Sequence, residues 1–574
     1  MNFFSSFFFV GLLVLLLLAL HMPAAAQVPA WQSARAVAAA TAAAANNYSE
    51  VRATAVDAAG NVYLTGIFSN TVVLGGTTLT SLGSYDVFVA KFNPVSNQFV
   101  WAQRAGGTSY EYATALAVDG SSVYVAGYFG SSTAGFGLTT LTNAGFDDVF
   151  VAKLTDGGST GSFVWAQRAG GPSNDDANAL AVSGTSVYVA GAFGSSTLGF
   201  GPTTLTNIGG TSGAYDVFVA KLTDAGSTGS FVWAQRAGGT DYDGASALAV
   251  SGTSVYVAGE FGSATAGFGA TTLANVGTTV GNSDIFVAKL TDAGSTGSFA
   301  WAQRAGGTDY DGVGALAVSG TSVYVAGGFR SPIASFGTTA LTNTGAYDAY
   351  VARLTDTGSM GSFNWAQRAG GTGYEFAKAL AVNGSSVYMV GYFRSPTADF
   401  GPTMLTNTNT VSSDVFVSKL TDVGNAGNFV WAQRAGGADY DEANALAVSG
   451  TSVYVAGFVQ SLTASFGSIT LPKPSSNNAL GFLATLTDPT LTATAAARTL
   501  TPEQLFPNPA HGTATLRLPA GTAPAPLTLT DALGRAVRRY PAPDGPEAAL
   551  DLQGLPAGLY LLRGAGPVQR LAVE

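Results

Sequence analysis

The chain contains no cysteine and only two histidines, His21 and His511, among its 574 residues. The lack of cysteine excludes disulfides, thiolate metal sites and a cysteine nucleophile. His21 lies in a segment expected to be removed, and His511 lies in a tail of different composition. Ser-His-Asp catalysis and histidine-ligated zinc are therefore disfavoured. The sequence gives no clear support for an enzyme and predicts no cofactor beyond the calcium considered below.

Charged residues are scarce too, at 10% of the chain against 47% hydrophobic residues, and the net charge is −10. A negative chain is a poor match for a phosphate backbone, so we expect no nucleic-acid partner. Glycine is abundant, with 74 residues, and Thr, Ser, Val and Tyr are frequent. This composition favours strands and turns over disorder. The sequence therefore predicts an all-β protein, long enough for more than one domain.

The N-terminus has the pattern of a signal peptide. The apolar run "FFVGLLVLLLLAL" precedes "HMPAAAQ", in which Ala24 and Ala26 supply an A-x-A cleavage site. No Lys or Arg precedes the apolar run, so an uncleaved anchor is the alternative. The run is short for a bilayer span, which favours cleavage. We expect residues 1–26 to direct export through the inner membrane.

Tryptophan reveals an internal repeat with gaps of 64 to 70 residues. The repeats begin near Trp31, Trp101, Trp165, Trp233, Trp301, Trp365 and Trp431. Each contains four strand-length runs, which in one copy are "FVWAQRA", "SALAV", "SVYVAG" and "DIFVAKL". Both alternating sides of "SVYVAG" are apolar, so each small sheet needs a neighbour on either side.

The chain termini favour a closed ring over an open solenoid. The first repeat begins with a lone tryptophan strand, "PAWQSARAV", and the last repeat lacks one. If the first strand completes the last sheet, the ring closes and no long edge stays exposed. We therefore predict a monomeric seven-bladed β-propeller over residues 27–488, closed by its N-terminal strand.

Two parts of the chain resemble known families. The order Trp, Gly-Gly, Asp, "ALAV-x-G", "VYVAG" and "D-x-FVAKL" resembles the seven-bladed β-propeller repeat of secreted bacterial proteins, and this resemblance implies fold and secretion alone. Beyond a linker at residues 489–504, residues 505–574 resemble the type A C-terminal sorting domain of the type IX secretion system. The matching positions are Pro507, Asn508, Pro509, Gly534, Gly558 and Tyr560.

The second resemblance carries the firmer functional implication. It implies a small immunoglobulin-like β-sandwich and the type IX secretion machinery as partner. It also implies delivery to the outer membrane surface or release from the cell.

Recurrence separates structural residues from functional ones, because a single site needs its groups only once. An arginine after "WAQ" and an aspartate before "VFVAKL" recur from repeat to repeat, so we expect them to satisfy buried or edge groups, with pairing between adjacent blades as one arrangement. The tryptophans are expected to be wedges between blades.

An acidic loop precedes "ALAV" in most repeats, for example "TDYDGA", "TDYDGV" and "ADYDEA". Its carboxylates could supply oxygen ligands to Ca²⁺, or they could belong to solvated turns. They are Asp241, Asp243, Asp309, Asp311, Asp439 and Asp441. The loop tyrosines Tyr242, Tyr310 and Tyr440 could stack on sugar rings or pack on the next blade.

Residues that vary at a fixed position after "VYVAG" are the better candidates for recognition. They include Glu260, Arg330 and Arg394. The leading hypothesis is a non-enzymatic binding, adhesion or scaffold module for a glycan or surface protein. A carbohydrate-active hydrolase or lyase that uses carboxylates or tyrosine is the alternative, and a structural surface-layer role is a third.

Overall fold

The computed structural model describes residues 29–37, 39–40, 47–210, 213–277, 281–473, 478–491, 504–506, 509–517, 526–531, 535–543, 547–563 and 569–573. The chain divides into two compact regions, Met1–Pro489 and Thr490–Glu574. Within the described ranges, no helix has the length and apolar character needed to cross a membrane. The predicted signal peptide, residues 1–26, lies outside the described residues.

The N-terminal region is all-β and, where described, repeats one antiparallel four-stranded unit seven times. The first strands are Ser49–Val56, Glu111–Asp119, Asp175–Ser183, Asp243–Ser251, Asp311–Ser319, Glu375–Asn383 and Asp441–Ser449. The second strands are Val62–Phe68, Ser122–Phe129, Ser186–Phe193, Ser254–Phe261, Ser322–Phe329, Ser386–Phe393 and Ser452–Val459. We number the units 1 to 7 in this order.

Two further strands complete each unit. The third strands are Asp86–Asn93, Asp148–Asp156, Asp216–Asp224, Asp284–Asp292, Asp348–Asp356, Asp414–Asp422 and Leu480–Thr487. The fourth, here called the Trp strands, are Gln98–Gly107, Gly161–Ala169, Gly229–Ala237, Gly297–Ala305, Gly361–Gly371, Gly427–Gly436 and, for unit 7, Ala30–Val37. The last of these pairs antiparallel with Leu480–Thr487, so unit 7 takes its Trp strand from the start of the chain.

A short hairpin separates the second and third strands of every unit. The hairpins are Thr71–Leu74 with Thr77–Thr80, Thr133–Phe136 with Thr139–Thr142, Thr197–Phe200 with Thr203–Thr206, Thr265–Phe268 with Thr271–Ala274, Ile333–Phe336 with Thr339–Thr342, Thr397–Phe400 with Thr403–Thr406, and Thr463–Phe466 with Ile469–Pro472. In unit 1, Ala39–Ala40 adds a third strand to the hairpin. Phe136 and Leu141 of the second hairpin are buried in the core.

The core lies between successive units, because each second strand is apolar on both sides. In Ser122–Phe129 all residues except Ser122 and Tyr128 are fully buried. One cluster joins Trp101 of unit 1 to Val123 and Phe150 of unit 2. Units therefore stabilise each other through a shared apolar interface, as the repeat pattern predicts.

In units 2 to 7, a buried aspartate at the end of the third strand or directly after it ties the unit to the one before it. Asp292 of unit 4 accepts hydrogen bonds from Lys221 Nζ at 2.6 Å, Tyr188 Oη at 2.6 Å and Trp233 Nε1 at 3.1 Å, all in unit 3. The aspartates in this position are Asp156, Asp224, Asp292, Asp356, Asp422 and Asp488. The sequence alone does not reveal these links, because the bonded residues are distant in the chain.

The recurring arginines and aspartates pair within one unit, not between adjacent blades as the sequence suggested. Arg168 Nη1 lies 2.5 Å from Asp148 Oδ2, and both residues belong to unit 2. The same pair recurs in units 1, 3, 4, 5 and 6. The third strand and the Trp strand are neighbours in one sheet, so their side chains meet within the unit rather than across it.

The C-terminal region forms two small antiparallel sheets around one core. One contains Gln504–Phe506, Thr513–Arg517 and Glu547–Asp551, and the other contains Leu527–Thr530, Ala536–Tyr540, Gly558–Arg563 and Gln569–Val573. Leu516 and Leu550 of the first sheet pack with Leu529 and Leu562 of the second. A short 3-10 turn, Pro489–Leu491, follows the last repeat.

Candidate ligand-binding face

The starts of the first strands and the ends of the second strands form one face of the N-terminal region, here called the loop face. Neighbouring antiparallel strands bring these ends together at one edge of each sheet. Backbone hydrogen bonds then fix the loops, as between Arg394 N and Tyr374 O at 2.8 Å. Arg330 N bonds Tyr310 O in the same way at 2.9 Å. Where a unit has an acidic loop, that loop therefore lies beside the variable residues after the second strand.

The second aspartate of each acidic loop is buried and holds the loop itself. Asp243 accepts hydrogen bonds from Ser263 Oγ at 2.7 Å and Gly239 N at 2.6 Å. Asp311 and Asp441 make the equivalent bonds to Ser331 and Ser461. Burial outweighs these bonds and raises the pKa of Asp243, Asp311 and Asp441 to about 6.

The first aspartate of each loop is nearer the solvent. Asp241, Asp309 and Asp439 each accept a hydrogen bond from the amide of the tyrosine that follows. Among the described residues, no group of three or more His, Cys, Asp or Glu side chains is arranged to hold a metal ion. Calcium binding by these six aspartates stays a prediction.

Glu260 lies at the centre of a polar cluster between units 4 and 5. Its carboxylate accepts hydrogen bonds from Ser246 Oγ at 3.2 Å and from the amide of Val313. Burial raises the pKa of Glu260 to about 7, opposed by these hydrogen bonds and by the charge of Lys378. The charge of Glu260 in turn raises the pKa of Tyr310. Glu260 therefore changes protonation near neutral pH.

Tyr242 and Tyr310 share a cavity beside Glu260. The cavity has a volume of about 210 Å³ and is also lined by Asp241 and Asn282. Burial is the main cause that raises the pKa of Tyr242, followed by the charges of Glu260 and Asp176. The structure therefore brings four of the sequence candidates, Glu260, Tyr242, Tyr310 and Asp241, into one cluster.

Arg394 and Tyr440 meet in a second cluster, in units 6 and 7. The Arg394 guanidinium lies 5.1 Å from the ring centroid of Tyr440 and 5.3 Å from that of Tyr392. Its Nη2 lies 3.6 Å from Glu442 Oε1, and its Nε is buried without a hydrogen-bond partner. Cation–π contacts and one loose ion pair thus hold this arginine.

Arg330 is the most exposed of the three sequence candidates after the second strands. Its side chain is 55% exposed, and Nε lies 3.4 Å from Asp309 Oδ2. It also hydrogen-bonds Tyr347, which limits the rise in the pKa of that tyrosine caused by burial. Arg330 therefore borders the loop face between the two clusters.

A second cavity of about 200 Å³ lies between these groups. It is lined by Tyr310, Tyr347, Tyr374, Glu375, Phe376 and Tyr392. The rings of Tyr347 and Tyr374 stack with centroids 5.5 Å apart. Tyr310 and Tyr374 are loop tyrosines, and Tyr392 occupies the variable position after its second strand, so the sequence points to these three residues. Tyr347, Glu375 and Phe376 join them because the fold brings units 5 and 6 together.

An acidic pair where units 2 and 3 meet was not among the sequence candidates. Asp147 and Asp176 each have a buried Oδ1 without a hydrogen-bond partner. The pKa of Asp176 is raised to about 7, mainly by burial and secondly by the charges of Asp147 and Asp175. Asp147 stands where units 1, 3 and 5 carry Tyr85, Tyr215 and Tyr347. That departure from the repeat was the available sequence signal.

The motif residues of the C-terminal region fall partly outside the described chain. Pro507, Asn508 and Gly534 are not among the described residues. Pro509 is exposed, and Gly558 begins a strand that includes Tyr560. Tyr560 is buried and donates a hydrogen bond to Pro556 O at 2.7 Å.

A family model described as a secretion system C-terminal sorting domain matches residues 504–567. The C-terminal region therefore carries a sorting domain of the type IX secretion system. This domain implies interaction with the type IX machinery and secretion to the cell surface or beyond it. The comparison with curated proteins gives no match.

Two solved structures show distant similarity. The phage phi92 endosialidase has a TM-score of 0.37 and 9% identity, over 79% of this chain and 69% of its own. A protein from Lactobacillus plantarum has a TM-score of 0.28 and 13% identity, over 66% of this chain and 98% of its own. Similarities this low bear neither on fold nor on function, and the repeated β architecture rests on the strand pairing above.

Proposed function

We propose that this chain is a non-enzymatic binding or scaffold module, exported by the type IX system, that engages a glycan or surface component through its loop face. One observation carries the proposal. The recurring aspartates bond within the protein, whereas in units 4 to 6 loop tyrosines line two cavities, one of them together with Phe376 and Tyr392, which stand at positions that differ from unit to unit. A surface that differs from unit to unit on a constant scaffold is suited to recognition.

We also propose that the seven units close into a β-propeller. The first strands of units 7 and 1 contact each other, as do those of successive units. Asn444 Nδ2 of unit 7 donates to Val51 O of unit 1 at 3.1 Å, and Val37, Val62 and Tyr454 share one apolar cluster. A closed ring leaves no long sheet edge exposed.

Ring closure has a direct test. Deletion of residues 27–40 is expected to lower the melting temperature of the N-terminal region markedly, because Trp31 packs on Phe466 with ring centroids 5.2 Å apart. A synthetic peptide of residues 27–40 should restore the transition, and the same peptide with Trp31→Ala should restore it less. An unchanged melting temperature after deletion would show that this strand does not close a ring.

Binding is tested on a panel of polysaccharides and surface glycans, scored both for retention of the protein and for release of products. Retention without product release supports a binding module. If no polysaccharide or glycan retains the protein and no product is released, the binding proposal fails and the structural surface-layer role is favoured.

Glu260 favours the alternative of a carbohydrate-active hydrolase or lyase. A carboxyl group whose pKa is raised to about 7, beside Tyr242 and Tyr310, can donate a proton at neutral pH. New reducing ends or unsaturated products that Glu260→Gln abolishes would establish catalysis. Products that persist in that variant would exclude Glu260 as the acid.

A further inference from the structure

Lys378 departs from the pattern of its position in the first strand. In units 2, 3 and 7 the residue at this position hydrogen-bonds the backbone of the next unit. The donors are Thr114 at 2.7 Å from Ala177 O, Asn178 at 3.0 Å from Ala245 O and Asn444 at 3.1 Å from Val51 O. Within the described chain, Lys378 makes no hydrogen bond or ion pair. The packing of the units therefore leaves its charge available.

Lys378 and Arg394 converge on one aromatic ring. Lys378 Nζ lies 5.8 Å and the Arg394 guanidinium 5.3 Å from the centroid of Tyr392. Lys378 Nζ also lies 5.1 Å from the centroid of Phe376. Both rings line the cavity of about 200 Å³, so two cations stand beside an aromatic cavity.

The nearby carboxylates compensate these cations only in part. Among the described residues, Arg394 has one ion pair, with Glu442 at 3.6 Å, and its buried Nε has no acceptor. Lys378 interacts with Glu442 and Glu260 only at longer range. Burial raises the pKa of both glutamates, and the charge of Lys378 and, for Glu442, that of Arg394 oppose this rise. Glu375, which lines the same cavity, is buried, and its carboxylate accepts hydrogen bonds from Ser395 Oγ at 2.6 Å and Gly371 N at 2.8 Å. Lys378 and Arg394 are therefore the charged groups beside the cavity that keep donors for an anion.

The cavity walls are suited to a ring rather than to a flexible chain. Tyr347 and Tyr374 present stacked aromatic rings, and Phe376 and Tyr392 add two more. Aromatic faces stack on the C–H faces of sugar rings and on other flat groups. The volume is below the roughly 300–1,000 Å³ of pockets for drug-sized ligands, so one ring-sized group enters at a time.

We propose that this cavity binds a carboxylate-bearing sugar of an acidic polysaccharide. The sugar ring stacks on the aromatic walls, and its carboxylate pairs with Lys378 and Arg394, since a guanidinium can hold a planar carboxylate through two N–H groups. The inference rests on the proposed binding function and names its ligand class.

The test uses the full secreted chain and three acidic polysaccharides, polygalacturonate, alginate and hyaluronan. Each is titrated in its native form and after chemical reduction of its carboxyl groups to alcohols. We expect at least one native polymer to bind and its reduced form to bind at least about tenfold more weakly, because a charge-assisted hydrogen bond is lost. Binding should also weaken with added salt.

Two variants with precedents in the same chain remove the cations. Lys378→Asn introduces the residue that unit 3 has at Asn178, and Arg394→Gln introduces the residue that unit 7 has at Gln460. Each is expected to weaken native-polymer binding about tenfold without lowering the melting temperature. Arg539→Gln, an exposed charge in the C-terminal region, is the matched control and should bind normally.

The outcomes separate this inference from the broader proposal. Equal binding of native and reduced polymers, or binding of neutral glycans alone, overturns the anionic ligand and leaves glycan binding intact. Equal binding of dextran sulfate overturns the carboxylate, and equal binding of polyglutamate overturns the sugar ring. If no native acidic polymer binds, the inference is wrong, and if the wider glycan panel is also negative, the binding proposal fails with it.

Discussion

Single buried aspartates link the repeated units of this protein. Asp224 accepts hydrogen bonds from Tyr124 Oη at 2.6 Å and Trp165 Nε1 at 3.0 Å, and it pairs with Lys153 at 2.5 Å. Burial acts to raise the pKa of Asp224, but these hydrogen bonds outweigh burial and lower it. The carboxylate is therefore ionised in the folded protein and depends on its donors.

Removal of the lysine from this group should destabilise the fold. In Lys153→Met the buried Asp224 keeps its charge but loses its counterion, and both side chains are only 7% exposed. We expect the free energy of unfolding to fall by about 3 kcal/mol, measured by denaturant titration. Arg330→Met, which breaks an exposed pair with Asp309, should cost less than about 1 kcal/mol. Equal effects would contradict a special role for the buried pair.

At the scale of elements, each Trp strand acts as a wedge against the next unit. The indole of Trp165 in unit 2 packs on Gly229, the first residue of the Trp strand of unit 3. A Cβ at Gly229 would lie 2.8 Å from the ring carbons of Trp165. The glycine before "SFVWAQRA" is therefore required by the tryptophan of the preceding unit.

This close contact gives a prediction for two glycines of unit 3. Gly229→Ala should push Trp165 out of place and lower the free energy of unfolding by about 2 kcal/mol. Gly199 lies in the hairpin strand Thr197–Phe200, and a Cβ there would meet nothing within 4 Å. Gly199→Ala should change the stability by less than about 0.5 kcal/mol. Comparable melting temperatures for both variants would refute the wedge.

The sequence alone predicts the strands of each repeat but not all of their contacts. Runs such as "SVYVAG" are apolar on both sides, and the structure buries them accordingly. The hairpins were not predicted as strands, since "TAGFGLTTLT" is rich in glycine and threonine and has no clear alternation. Arginine and aspartate were expected to pair between blades, because recurrence reveals that a residue is structural without showing which neighbour it meets.

The candidate site was predictable only in part, for a local geometric reason. Glu260, Arg394 and Tyr440 differ between repeats or lie in the loops, so the sequence could point to them. Lys378 occupies a bulge, where the pairing register shifts between Ala377 and Ala379. A bulge breaks the alternation of strand faces, so the direction of its side chain cannot be read from spacing.

The carboxylates of the whole molecule fall into two groups with opposite effects on stability. In the links between units, hydrogen bonds overcome burial and lower the pKa of Asp156, Asp224 and Asp292, and that of Asp356 to about 2. These aspartates contribute fully to the stability of the fold at pH values above their ordinary pKa of 3.8. The contribution is lost as the pH falls towards 2.

The carboxylates of the loop face act in the opposite direction. Burial raises the pKa of Asp243, Asp311 and Asp441 to about 6 and that of Asp176 to about 7. These groups contribute fully to the stability of the fold at pH values below their ordinary pKa of 3.8. The contribution is lost as the pH rises through 6 to 7, because the unfolded chain ionises first.

The two groups together predict a maximum of stability near pH 4, where neither contribution has been lost. Melting temperatures measured from pH 2 to pH 8 should fall on both sides of this maximum. Asp176→Asn removes one carboxyl group whose pKa burial raises. The substitution should therefore increase the melting temperature more at pH 8 than at pH 4. Asp119→Asn removes an exposed carboxylate at a strand end and is the matched control for the change in net charge. A melting temperature that rises steadily up to pH 8 would contradict the assignment, since the carboxylates of the loop face would then be ionised without cost to the fold.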